Sequence, residues 1–253
     1  MAMLFRPKPP IARQEYDWLV ACFAWIRRVL DDSAIKPELV LPDHPALREA
    51  KTASNLFEAV RTLMQMQDWP CQLERVDTDF DPGDARIVSQ GAAACGTFSI
   101  ENGVAVIRYA SDMLRDPDAL AATFAHELCH YLLCNAGDPP GGPELMEHST
   151  DVAAAYCGFG VLLANSARRF EQWQSDGWHG WQSSTQGYLS EGALVTATAL
   201  FAHLHGRDTR PAEQALKPYL RKDFAKADKA IQRDYPDLAK TLDEVDLLEW
   251  AYS

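Results

Sequence analysis

Thr123-Phe124-Ala125-His126-Glu127-Leu128-Cys129-His130-Tyr131-Leu132-Leu133 is an apolar run interrupted by two imidazoles and a carboxylate. It contains no Gly or Pro, and its pattern predicts a helix over 118–134. His126 and His130, four residues apart, share one helical face, so both rings can converge on a single ion. Glu127 lies about 100° further round the helix. That is too far for comfortable ligation but near a water on the ion. Polar groups sunk in an apolar helix cost roughly a few kcal/mol unless something compensates them. The spacing is H-E-x-x-H, whose chemistry is a metal-activated water with Glu as general base. The bland alternative is a pair of hydrogen-bonded histidines on a partly exposed face. A catalytic zinc would further need a third protein ligand and an open position.

Working toward the C-terminus, Gly137-Asp138-Pro139-Pro140-Gly141-Gly142-Pro143 is a turn that folds the next helix, expected over 143–164, back against the first. This helix opens with Glu144-Leu145-Met146-Glu147-His148-Ser149-Thr150-Asp151. Glu147 and Asp151 are again four apart and face the same way. One carboxylate can complete the site. Another, a turn away, can accept the second ring N–H of a ligating histidine and fix its tautomer. Spacing alone leaves Glu144, Glu147, His148 and Asp151 open as the third ligand.

Working toward the N-terminus, Gly96–Ile100 and Val104–Tyr109 flank Glu101-Asn102-Gly103, a strong hairpin signal. Cys71–Val76 reads as a further strand, and Asp77 to Asp84 as a turn-rich acidic loop. Two helices precede them, one from near Ile11 with apolar residues on two faces and one from Ala46 to about Gln67. After the site, helices are expected at 190–205, 211–217, 219–234 and 236–250. The order is helices, a small sheet, then many helices. It predicts an α+β fold, mostly helical with a small antiparallel sheet and a helical C-terminal half, rather than a βαβ array. A single domain over 1–253 is expected, with N-terminal helices in 1–68, the sheet and metal-site helices in 69–164 and a helical portion in 165–253.

The 253 residues carry 24 Lys and Arg against 36 Asp and Glu, a net charge of −12. That surplus argues against nucleic acid or an anionic membrane as a general partner. The segment 207–233 is locally basic, with eight bases and four acids. It is laced with opposite charges, as on a solvated helix face. The apolar runs Val152–Ala164 and Gly192–Leu204 are too short to span a bilayer and read as core helices. The first ten residues lack the apolar stretch of a signal peptide. The six cysteines form no C-x-x-C pair and read as buried reduced thiols, which points to the cytoplasm.

His126, Glu127, His130, Glu147 and Asp151 together resemble the zincin metallopeptidases in their gluzincin arrangement, H-E-x-x-H followed on a second helix by E-x-x-x-D. The resemblance spans about 104–164. The metzincin extension is absent, since Leu133 and Ala136 stand where Gly and His would be. Met146 also replaces the Asn that usually precedes the third ligand in the thermolysin-like subgroup. The resemblance implies Zn2+ held by His126, His130 and Glu147, Glu127 as general base, and Asp151 orienting a ligand. The substrate would be a peptide or protein, lying along an edge strand for which Val104–Tyr109 stands in the right order. A Tyr or His often stabilises the oxyanion in zincins, and Tyr188 and His179 are the candidates here. They lie in and just after a Trp- and Gly-rich stretch, 170–181, that reads first as a structural loop. Cys129 is expected to pack rather than ligate, and His44, His203 and His205 to be non-ligands. The alternative function is a zincin-like scaffold that binds a partner and cleaves nothing, or cleaves only when assembled.

Overall fold

A computed structural model describes residues 8–30, 37–76, 96–167 and 189–250. Its first helix, α1 (Arg13–Val29), buries an almost unbroken run from Trp18 to Ile26. That burial accounts for the apolar residues on both of its faces. The helix expected over 46–67 is instead two. α2 (Pro45–Glu49) is capped by His44, whose ring accepts from the Ala46 N–H, and it ends at Ala50 with extended backbone. α3 (Ala53–Leu63) restarts behind Thr52, whose hydroxyl accepts from the Asn55 N–H at 3.1 Å. A threonine cap satisfies an orphan donor at a helix start, and here it outweighs continuing helical periodicity.

The hairpin forms as expected. β2 (Gly96–Glu101) runs antiparallel to β3 (Val104–Ala110), and Asn102 and Gly103 both take positive φ, 51° and 82°. The sheet is not wholly antiparallel, however. β1 (Cys71–Val76) joins the far side of β3 in parallel, giving a mixed sheet of order β1-β3-β2. β3 is therefore central. Arg108 at its middle reaches Glu74 on β1 at 2.9 Å, and Glu101 and Ser99 on β2 at 2.6 and 2.9 Å. One buried guanidinium thus ties all three strands together, through charge-assisted bonds stronger than neutral ones.

The other face of the sheet packs on α4 (Pro117–Leu133), with Tyr109 edge-on to Phe124 at 5.6 Å. α4 begins at Asp116, whose carboxylate accepts from the Ala119 N–H, and Pro117 occupies its first turn. Phe57 of α3 meets Phe124 from a second side and α5 (Met146–Ala154) lies along a third, so α4 is enclosed. α5 passes through a π-turn at Ala155–Phe159 and continues helically over 160–167. Inside that turn Gly158 has φ +96°, and its carbonyl accepts from the Val40 N–H at 3.0 Å. A Cβ here would collide with the Glu38 carbonyl, so only glycine lets the 37–40 segment cross this close.

α6 (Glu191–Leu204), α7 (Arg210–Ala215), α8 (Pro218–Asp234) and α9 (Leu238–Glu244) build the helical C-terminal half. α1 packs against α5, α6 and α9, so the core is continuous from the first described helix to the last. The architecture is α+β. No helix among the described residues is long and apolar enough to cross a membrane. Cys22, Cys129 and Cys157 are buried free thiols as expected, but Cys71 is half-buried and Cys134 is exposed just past α4, where the helix leaves the core.

Candidate metal centre

α4 delivers His126, Glu127 and His130 into the interior, with 2, 2 and 9% of their surfaces exposed. The turn after α4 brings α5 back alongside, and Glu147 in the first turn of α5 faces both imidazoles. Nε2 of His126 and Nε2 of His130 are 3.2 Å apart. Each lies 3.4 Å from Oε2 of Glu147. Three donor atoms from two helices thus form a nearly equilateral triangle and can hold one metal ion.

The opposite edges of both rings are fixed by α5. Nδ1 of His126 lies 2.8 Å from Oδ1 of Asp151, whose side chain is 1% exposed. A carboxylate can only accept, so this nitrogen carries a proton, and in the neutral ring Nε2 is the atom left with a lone pair for a metal. The other carboxylate oxygen, Oδ2, accepts from the Leu189 N–H at 2.8 Å. Asp151 therefore joins a ring of the cluster to the start of the α6 region. Nδ1 of His130 faces Oγ1 of Thr150 at 3.5 Å. That hydroxyl gives its own proton to the Met146 carbonyl at 2.9 Å, leaving a lone pair toward the ring. The sequence reading missed Thr150. Its signal was its place three residues after Glu147, on the α5 face that carries Asp151. Phe98 of β2 stacks on His130 at 6.3 Å between centroids, nearly parallel.

The charges within the cluster bias one another. Burial pushes the Glu147 carboxyl up, but hydrogen bonds from His126 and His130 hold it well below the usual carboxylate range. Burial disfavours a charged His126, yet Asp151 and Glu147 hold its proton affinity well above the ordinary imidazole value. Glu127 is raised by burial, a shift that the two histidines partly oppose. A dication between the rings and Glu147 would meet an ionised carboxylate and oriented imidazole nitrogens, which is the chemistry of a metal-binding donor set.

The five residues drawn together by spacing thus lie in one cluster, four of them buried and Glu147 half-buried. His148 turns away from the triangle and stands edge-on to Trp18 at 6.4 Å. The exposed Glu144 takes no part in it. Tyr188 and His179 lie outside the described residues, as do the 77–84 loop and the 170–181 stretch. Cys129 is buried beside Cys157, and burial pushes its thiol up. His203 pairs with Asp228 at 2.8 Å, His205 packs against Phe201, and His44 caps α2.

One expectation about the substrate strand is overturned. Val104–Tyr109 is not a free edge, because β1 and β2 occupy both of its sides. Among the described residues, the strand nearest α4 with one unpaired side is β2, and it carries Phe98 against His130. Comparison of the chain with protein-family models, curated proteins and solved structures finds no match.

Proposed function

We propose that this protein is a zinc-dependent hydrolase of peptide bonds. The observation that carries the reading is the donor triangle of His126, His130 and Glu147, with sides of 3.2, 3.4 and 3.4 Å. A tetrahedral ion with bonds of about 2.0–2.1 Å to nitrogen and oxygen spaces its ligands about 3.3–3.4 Å apart, which suits zinc. Three protein ligands leave the fourth position open, as in catalytic rather than structural zinc sites. When bound, zinc would supply a Lewis acid that lowers the pKa of a water toward about 7 and polarises a carbonyl.

The chain's own residues would do the rest. Asp151 and Thr150 hold the two imidazoles in the tautomer that presents Nε2. Glu127, adjacent to His126 and buried, takes the proton from the attacking water and passes it to the leaving amine. The side of β2 that no described strand pairs with would offer backbone donors and acceptors to an extended peptide lying across the cluster beside Phe98.

The test is digestion of a peptide library by zinc-loaded protein, read by mass spectrometry, alongside Glu127→Gln. Wild type is expected to cleave. The variant should keep one zinc per chain and lose turnover by about 10²–10⁴-fold. Equal cleavage by both overturns the role of Glu127. No cleavage by either, with zinc retained, leaves the scaffold reading in its place.

A further inference from the structure

Beside the metal cluster lies a cleft of about 370 Å³, at the small end of ligand-pocket volumes. Its walls include Glu15 and Trp18 of α1, Leu145 and His148 around the start of α5, Leu189, and Trp250. Two of these walls belong to the metal centre's own framework. His148 directly follows Glu147, and Leu189 donates its N–H to Asp151.

The lining has a definite chemical character. Two indoles and two leucines make most of it apolar. Among its described side chains Glu15 is the acidic one, half-buried and close to the Ser190 hydroxyl. Glu15 has no cationic partner among the described residues. Burial raises its carboxyl above the ordinary range, and the Ser190 hydrogen bond opposes this only in part. Among the described residues no Lys or Arg lines the cleft, and the Nδ1 of His148 is buried without a hydrogen-bond partner. A partly desolvated carboxylate flanked by indoles favours a cation with an apolar stem, through charge pairing and cation–π attraction. The net charge of −12 adds long-range attraction for such a ligand.

We propose that this cleft binds a basic side chain, Arg or Lys, of a peptide whose backbone reaches the metal cluster. The apolar stem lies along Trp18, Leu145 and Leu189, and the charged head meets Glu15 and the face of Trp250. The assignment of the ligand as part of a substrate rests on the peptidase reading, whereas binding of the cation does not.

Isothermal titration calorimetry with acetyl-Ala-Arg-Ala-amide and its citrulline counterpart tests this. The pair differs in charge but hardly in shape, and the blocked ends remove other charges. Titrations use the metal-free protein and the zinc-loaded Glu127→Gln variant, so hydrolysis contributes to neither. The arginine peptide is expected to bind about tenfold more tightly, and Glu15→Gln should abolish the difference. Trp250→Leu should reduce it severalfold without touching the Glu15 hydrogen bond, and it serves if Glu15→Gln fails to fold. Equal affinity for the two peptides, or a preference that survives both substitutions, overturns the proposal. Cation binding without peptide cleavage by wild type would remove the peptidase reading and leave the cleft. Cleavage without the arginine preference would do the reverse.

Discussion

Replacing Asp151 by Asn removes one charge and almost no volume, yet it should not be a mild change. Both groups that Asp151 contacts are donors. The Leu189 N–H reaches Oδ2 and the His126 Nδ1–H reaches Oδ1, each at 2.8 Å. An amide has one oxygen and can serve only one of them. If the oxygen serves Leu189, the amide NH₂ faces His126 and forces its proton onto Nε2, the atom that must ligate. If it serves His126, two N–H groups oppose each other at Leu189, in a site that is 1% exposed. The first outcome should weaken zinc binding by about 10–100-fold. That corresponds to about 1.4–2.7 kcal/mol. The second leaves a buried donor unpaired, at about 1–3 kcal/mol of fold stability. Competition with a chromophoric zinc chelator at fixed pH reads the first, and thermal unfolding of the metal-free protein reads the second. A variant with wild-type zinc affinity and a wild-type melting temperature would refute the assignment of both protons.

Two further outcomes follow from the same geometry. Gly158→Ala combines a φ of +96° with a collision against the Glu38 carbonyl. It should cost about 3 kcal/mol or more. For a chain of this size that is a fall in melting temperature of about 6–12 °C; a melt unchanged from wild type would show that the 37–40 segment can move aside at no cost. Zinc at a hundredfold excess over its dissociation constant should stabilise the fold by about 2.7 kcal/mol, because the unfolded chain lacks the converged donors. Chelation should therefore lower the melting temperature by about 5–10 °C, and a melt indifferent to both zinc and chelator would sink the metal centre.

What could be read in the sequence was local. His126 and His130 share a helix, and Glu147 and Asp151 share the next, so helical spacing alone set which atoms face the same way. The hairpin was legible because Asn102-Gly103 tolerates the positive φ that its turn needs. What could not be read was longer in range. The central place of β3 depends on β1, which joins it from across a long intervening segment, and strand order carries no local signature. The break before Thr52 was present as a Thr-x-x-Asn pattern, but the apolar periodicity on either side masked it. The role of Thr150 depends on its hydroxyl facing the His130 ring, and that is settled only once α4 and α5 are side by side.

The position of α1 bears on what could be cut from or grafted out of this protein. Its Trp18 indole donates to the Pro140 carbonyl at 2.9 Å, and Cys22 touches Ser149 of α5 at 3.4 Å. Further along, Arg27 reaches the Ala239 carbonyl and Arg28 the Val245 carbonyl, at 2.9 and 2.6 Å. One helix thus braces the turn between α4 and α5 on one side and the residues after α8 on the other. The roughly sixty residues that hold the ligands are for that reason not a portable cassette. Transplanted alone, they would lose the strut that keeps α5 pressed to α4, and with it the spacing of the donors. A minimal metal-binding fragment of this fold has to include α1, far away in sequence, before it includes anything else outside the ligand segment.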